Sequence, residues 1–249
     1  MIAFDHAVVV VSSLPRAVRE FEELGFRVTL GGTTGPVHNA LVIFRDGTYV
    51  ELTTTRLAVT RATFRALSGI GLLHRIARGR DDMLGRFLPW LGAAEGPVDW
   101  CIRVDDLGVT MRRLRDGGID VMAPQAFERT RPDGEVARWS LAGPRDTRLP
   151  FFIEDQTPVE VRVPNVDGAF HPNGAEGIQA LELSSAVLHG VEAMLGALAD
   201  EQESSGDLGN VELSVSNSRR LFGLRIFGAN DPIDLDPHKT SCTPIRLVR

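Results

Sequence analysis

The chain has 249 residues, 43% of them hydrophobic and 24% charged, the balance of a folded protein long enough for one large or two ordinary domains. A net charge of −6 leaves no basic footprint for nucleic acid, and no apolar run approaches the roughly 20 residues needed to cross a bilayer. Cys101 and Cys242 are too few for a disulfide scaffold, and the start Met1 to His6 lacks the pattern of a signal peptide, so a cytoplasmic protein with reduced thiols is expected.

Val8 to Val11 is a β-branched run that reads as a buried strand. Ser12-Ser13-Leu14-Pro15 then supplies a helix start, and Ala17, Val18, Phe21 and Leu24 repeat at helical spacing up to a stop at Gly25. Phe26 to Leu30 reads as a strand. Asn39 to Phe44 and Tyr49 to Leu52 flank Asp46-Gly47, a strong hairpin signal. The order is β-α-β-β-β over residues 1–54.

Residues 55–95 carry helical spacing (Phe64, Leu67, Ile70, Leu73, Ile76) and the apolar run Phe87 to Leu91, and read as a helical insert over or beside a cleft. The first pattern then returns over residues 96–155. Asp99 to Val104 is a strand, Asp105-Asp106-Leu107 starts a helix that stops at Gly117-Gly118, and Ile119 to Met122, Ala137 to Leu141 and Leu149 to Glu154 follow as strands. Setting Leu14 on Leu107, an offset of 93 (107 − 14), superposes strand, cap and helix without a gap. Residues 156–176 are rich in Pro, Asn and Gly and read as a connector. A third, degenerate copy occupies 177–249, with strands at Ile178 to Leu183, Val211 to Val215, Leu221 to Phe227 and Pro244 to Val248, and a helix from about Leu188 to Ala199. The fold class is α+β, built from repeated βαβββ modules. An odd number of modules leaves a sheet edge or face open, which suggests a homodimer.

Side chains alternate along strands, so residues of one parity share a face. If Asp46-Gly47 forms a two-residue loop, Val42 lies opposite Glu51, and His38 joins Glu51 on the cleft side. On the first strand His6 shares a face with Val8 and Val10. In the second module Asp99, Cys101 and Arg103 form a polar stripe, with Trp100 on the face that a helix covers. Asp99 can equally pair with Arg103 or another basic residue. Of the adjacent Arg138 and Trp139, only one can face the cleft, and Arg138 is the candidate anion anchor. Arg103, Arg138 and His38 are thus the expected substrate-binding side chains.

Seven short segments carry a family resemblance: Asp5-His6 with Leu14, Asn39-Ala40-Leu41, Gly47 to Leu52, Arg131 to Gly134, Arg138-Trp139, Leu149 to Glu154 and His171 to Gly174. Together they resemble the glyoxalase-like domain subfamily of the vicinal-oxygen-chelate superfamily, which includes glyoxalase I, extradiol dioxygenases and fosfomycin-resistance proteins. In metal-dependent members the ligands stand where this chain has His6, Glu51, Asp99 and Glu154; Asp99 departs from the usual His. The resemblance implies a divalent ion (Mn, Fe, Zn or Mg) held by these four residues, with Glu51 or Glu154 moving a proton on a small oxygenated metabolite. That describes a metal-dependent lyase or isomerase. The alternative is a metal-free protein that sequesters a small molecule in the same cleft.

Overall fold

The computed structural model describes residues 2–34, 37–55, 58–131, 134–163, 170–199 and 208–249. Its first unit contains β1 (Ile2–Val10), α1 (Leu14–Glu23), β2 (Thr29–Thr34), β3 (Val37–Ile43) and β4 (Tyr49–Thr55). Pro15 occupies the first turn of α1, and Leu14, Ala17 and Phe21 bury its apolar stripe. The helix stops at Gly25, whose φ of +82° suits glycine, and a Cβ there would lie 2.9 Å from that of Asn173.

Three helices follow: α2 (Ala58–Gly69), α3 (Leu72–Arg78) and α4 (Met83–Gly92). The second unit comprises β5 (Gly96–Val104), α5 (Leu107–Asp116), β6 (Gln125–Thr130), β7 (Val136–Ala142) and β8 (Phe151–Asp155), followed by the short α6 (Val159–Arg162). Asp106 caps α5 by accepting the Val109 N–H at 2.7 Å. The strand expected at Ile119 to Met122 does not form; Val121 makes a single bridge to Pro144, and the true strand lies further along at β6. Ile119 and Val121 pack into the core under α5, and Met122 joins the inner cluster with Met83 of α4, so their apolar character serves packing rather than strand pairing. β6 is an edge strand of alternating half-buried and exposed residues, which the sequence pattern concealed.

The first two units build one sheet in the order β2-β3-β4-β1-β5-β8-β7-β6. Each unit places its last strand parallel beside its first (β4 on β1, β8 on β5), and β1 meets β5 antiparallel at the centre. The sheet curls until its two ends meet: a Cβ on Gly32 of β2 would fall 2.5 Å from Cδ of Arg129 on β6. The outer face packs α1 and α5 into a core that continues into the third unit. That unit holds β9 (Gly177–Leu183), α7 (Ser185–Leu198), β10 (Glu212–Val215), β11 (Phe222–Phe227), β12 (Ile233–Asp234) and β13 (Ile245–Leu247), in the order β10-β9-β11-β13-β12. It departs from the other two in that the strand after its helix pairs directly with its first strand. Among the described residues no helix is long and apolar enough to cross a membrane.

The inner face is where the insert matters. Arg86 of α4 has no exposed surface in its side chain and grips Asp99 of β5, equally buried, through Nε to Oδ2 at 2.6 Å and Nη2 to Oδ1 at 2.7 Å. Arg86 also donates to the carbonyls of Pro144, at 2.9 Å, and Leu149. A charge pair out of water survives only with such geometry, because each partner has lost its hydration. The pair clamps α4 across the second half of the sheet.

Asp99→Ala leaves the Arg86 guanidinium buried against carbonyls alone and is expected to cost about 3–5 kcal/mol of stability. Urea unfolding measures this, and a loss under about 1 kcal/mol would show that the clamp is not what holds α4.

Candidate functional site

The site begins with an irregularity in β1. Phe4 pairs with Ile102 and His6 with Cys101, so Asp5 is an extra residue that bulges the strand. Phe4 therefore packs outward against Trp100, while His6 turns inward with Val8 and Val10.

Asp5 is fully buried. Its Oδ1 lies 2.7 Å from Nδ1 of His6. Its Oδ2 accepts from Arg103 Nε at 2.9 Å and from Arg162 Nη2 at 3.0 Å. Arg162 also holds Asp155, through Nε at 2.7 Å, and the Tyr49 hydroxyl, through Nη1 at 2.7 Å. Burial alone would push the Asp5 carboxyl up, but Arg162 and the hydrogen bond to His6 outweigh it and hold the carboxyl well below its usual range. An ionised carboxylate can only accept, so Nδ1 of His6 carries a proton and Nε2 is the nitrogen that bears the lone pair in the neutral tautomer. Burial pushes the Tyr49 phenol well up, so it stays neutral.

Nε2 of His6 faces Oε2 of Glu51 on β4 at 3.8 Å. The imidazole stacks on Tyr49, with ring centroids 4.5 Å apart, and meets the edge of Phe151 at 5.5 Å. Glu51 accepts from Asn39 Nδ2 at 2.8 Å, and Asn39 in turn accepts the Gly32 N–H at 3.0 Å. His6 and Glu51 line a cavity of about 270 Å³ between the two units. Phe87 and Trp90 of α4, with Phe127, Trp139 and Phe151 of the second unit, wall it with aromatic rings. Arg129 of β6 lines it too; its Nη2 donates to the Arg162 carbonyl at 2.8 Å, and no carboxylate lies within 4 Å among the described residues.

Of the four expected ligands, only His6 and Glu51 come together. Asp99 does face inward, yet both of its oxygens are taken by Arg86 beneath α4. Glu154 points outward: Phe151 and Ile153 are the inward residues of β8, and Glu154 Oε2 caps α5 by accepting the Leu107 N–H at 2.8 Å. Neither Asp99 nor Glu154 lines the cavity. His38 is also turned away, because the hairpin loop has three residues rather than two. Phe44 N–H reaches Thr48 O at 2.9 Å around Arg45-Asp46-Gly47, with Gly47 at φ +86°. One extra loop residue makes Leu41, not Val42, the partner of Glu51, and reverses the faces of β3. Arg103 reaches Asp5 rather than the cavity lining. Arg138 stands on the outer side, half-exposed with Glu128 at 3.5 Å, and its neighbour Trp139 faces inward.

Asp5, His6 and Cys101 offer one potential metal-ligand atom each, all within 4.8 Å of one another. A divalent ion fits these atoms poorly. Asp5 is already neutralised by two guanidinium groups, Nδ1 of His6 is spent on Asp5, and burial pushes the Cys101 thiol well up, whereas metal binding needs deprotonated ligands. The arrangement instead presents one histidine, oriented from behind, and one carboxylate to an apolar cavity. Sequence reasoning missed Arg129, Arg162, Asn39 and Tyr49. The alternation of Phe127 and Arg129 with exposed neighbours was the available signal for Arg129; Arg162, 157 residues from Asp5, had none.

The glyoxalase-like domain profile matches residues 4–198. A hypothetical protein from Staphylococcus aureus shares the fold over 100% of this chain and 99% of its own, with a TM-score of 0.71 at 15% identity. Weaker likenesses include a 4-hydroxymandelate synthase mutant from Streptomyces coelicolor (TM-score 0.46, 12% identity, 96% of this chain and 74% of that one). Another is methylmalonyl-CoA epimerase from Mycobacterium tuberculosis (TM-score 0.37, 17% identity, 61% and 86%). No curated protein matches.

A carboxyl whose folded-state pKa is depressed contributes stability that is fully present above its unfolded value of about 3.9 and is lost as pH falls through the folded value. The stability gap between the parent and Asp5→Asn is therefore expected to be widest near neutral pH and to shrink below about pH 4. Urea unfolding from pH 3 to 7 reads this, and a gap constant across that range contradicts the assignment of Asp5 as the buried charge.

Proposed function

The chain belongs to the glyoxalase-like domain family, and from that premise we propose that it binds a small oxygenated metabolite between its first two units and moves a proton on it. The observation that carries the reading is His6. Its Nδ1 is fixed on a buried, ionised carboxylate, and its Nε2 lies 3.8 Å from Glu51 at the wall of an apolar cavity. A histidine oriented from behind by a carboxylate is the arrangement of a general base.

In this reading Nε2 takes a proton from a carbon next to a carbonyl. The electron pair moves onto the carbonyl oxygen, and the guanidinium of Arg129 supplies positive field for that charge. Glu51, held by Asn39, receives the proton or returns it at another position. Such transfers are those of an isomerase or lyase. Asp5 and Arg162 touch no substrate; they fix the tautomer and orientation of the ring. No step requires a metal ion, since the residues do not fit one.

A second reading is sequestration without chemistry. It is favoured by the aromatic wall of Phe87, Trp90, Phe127, Trp139 and Phe151, which suits tight packing of a flat ligand.

The two separate by proton exchange. Small 2-oxo acids and related carbonyl compounds incubated with the protein in D2O are expected to exchange a carbon-bound proton, followed by NMR, and to do so equally after treatment with a chelator. His6→Gln should lower the exchange rate about 10²–10⁴-fold, and Glu51→Gln should lower it less. Compounds that bind yet never exchange, or exchange that His6→Gln leaves untouched, would leave sequestration as the function.

A further inference from the structure

One arginine of the cavity has no role in the proton transfer. Arg61 of α2 lines the same space and is only 6% exposed. Its Nη2 makes one long hydrogen bond, 3.3 Å to the Ala93 carbonyl at the end of α4, and its Nη1 has no partner among the described residues. Among the described residues no carboxylate lies within 4 Å of it. Glu95 is the acid whose field reaches it, and that carboxylate is engaged by the Ser12 N–H at 2.7 Å. Burial and the neighbouring Arg65 both work against its charge.

An unpaired guanidinium out of water is costly, and an orphaned donor of this kind is rare unless something fills it. The neighbouring wall is apolar, formed by Val10 and by Leu88 and Leu91 of α4. Val10 pairs with Thr53 and Gly96, which places this end of the cavity near Ala93, four residues along β1 from His6. Four extended residues span roughly 13 Å.

We propose that Arg61 is an oxyanion-binding subsite that takes the carboxylate or phosphate end of an elongated ligand. The apolar body of that ligand lies along α4, and its other end reaches His6. The position of the reacting end rests on the proton-transfer reading; the binding of the anionic end does not.

Calorimetric titration with octanoate, octyl phosphate and 1-octanol tests this. The wild type is expected to bind one or both anions at least about tenfold more tightly than the alcohol, and which anion binds better identifies the head group. Arg61→Met should erase that preference, Arg61→Lys should keep part of it, and Arg129→Met and His6→Gln should keep it whole. A wild type that binds all three equally, or none, overturns the proposal. So does an Arg61→Met protein that keeps the preference, or an Arg129→Met protein that loses it. Should Arg61→Met fail to fold, Arg61→Lys decides: a preference no weaker than in the wild type counts against the subsite. If anion preference stands while no compound exchanges a proton in D2O, the subsite holds and the proton-transfer reading falls.

Discussion

A carboxylate with no access to water must find its counter-charges inside the protein, and Asp5 finds them in Arg162 and Arg103. The rest of the inner face follows from this. The bulge that inserts Asp5 into β1 also turns His6 inward, and the charge that the two arginines hold in place fixes the histidine's tautomer. Arg162 arrives from α6, beyond the second unit, and its ties to Asp155 and Tyr49 fasten that short helix over the base of the cavity. One buried charge therefore couples the central strand, the final strand of the second unit and the connector into a single rigid support. Removing any member leaves another buried group without its partner, a larger penalty than the loss of one contact.

The two halves of the sheet repeat one plan, yet they treat the inner face differently. In the first half His6 and Glu51 border open space. In the second, Asp99 occupies the place that repetition assigns to His6, and α4 lies across it with Arg86 inserted. With Arg86 seated there, the cavity beside His6 and Glu51 is walled on one side by aromatic rings that the helix itself contributes.

Much of this was legible in the sequence, because period-2 alternation and helix punctuation are local. The β-α-β-β-β order, its recurrence at an offset of 93, and the inward placing of His6 and Asp99 all rest on residues a few positions apart. What failed did so for identifiable reasons. A hairpin signal gives the position of a turn better than its length, and one additional loop residue reversed His38 and Asn39. Apolar character alone does not separate a strand from a segment packed beneath a helix, hence Ile119 to Met122. Glu154 came from the resemblance alone, and on β8 it stands on the face opposite Phe151 and Ile153. The pairing of Arg86 with Asp99 and of Arg162 with Asp5 depends on tertiary closure, for which a linear pattern holds no information.

The contact between Gly32 and Arg129 bears on how the chain behaves among its neighbours. β2 and β6 are the outermost strands of the eight-stranded sheet, and outermost strands offer unsatisfied main-chain groups to any extended segment they meet. Here they lean together, with an arginine stem laid over a residue that has no side chain to obstruct it. The sheet gains much of the self-protection of a closed barrel without the continuous hydrogen bonding that would make it one. Resistance to intermolecular strand addition, and with it colloidal behaviour at high concentration, thus depends on a side chain that also faces the cavity.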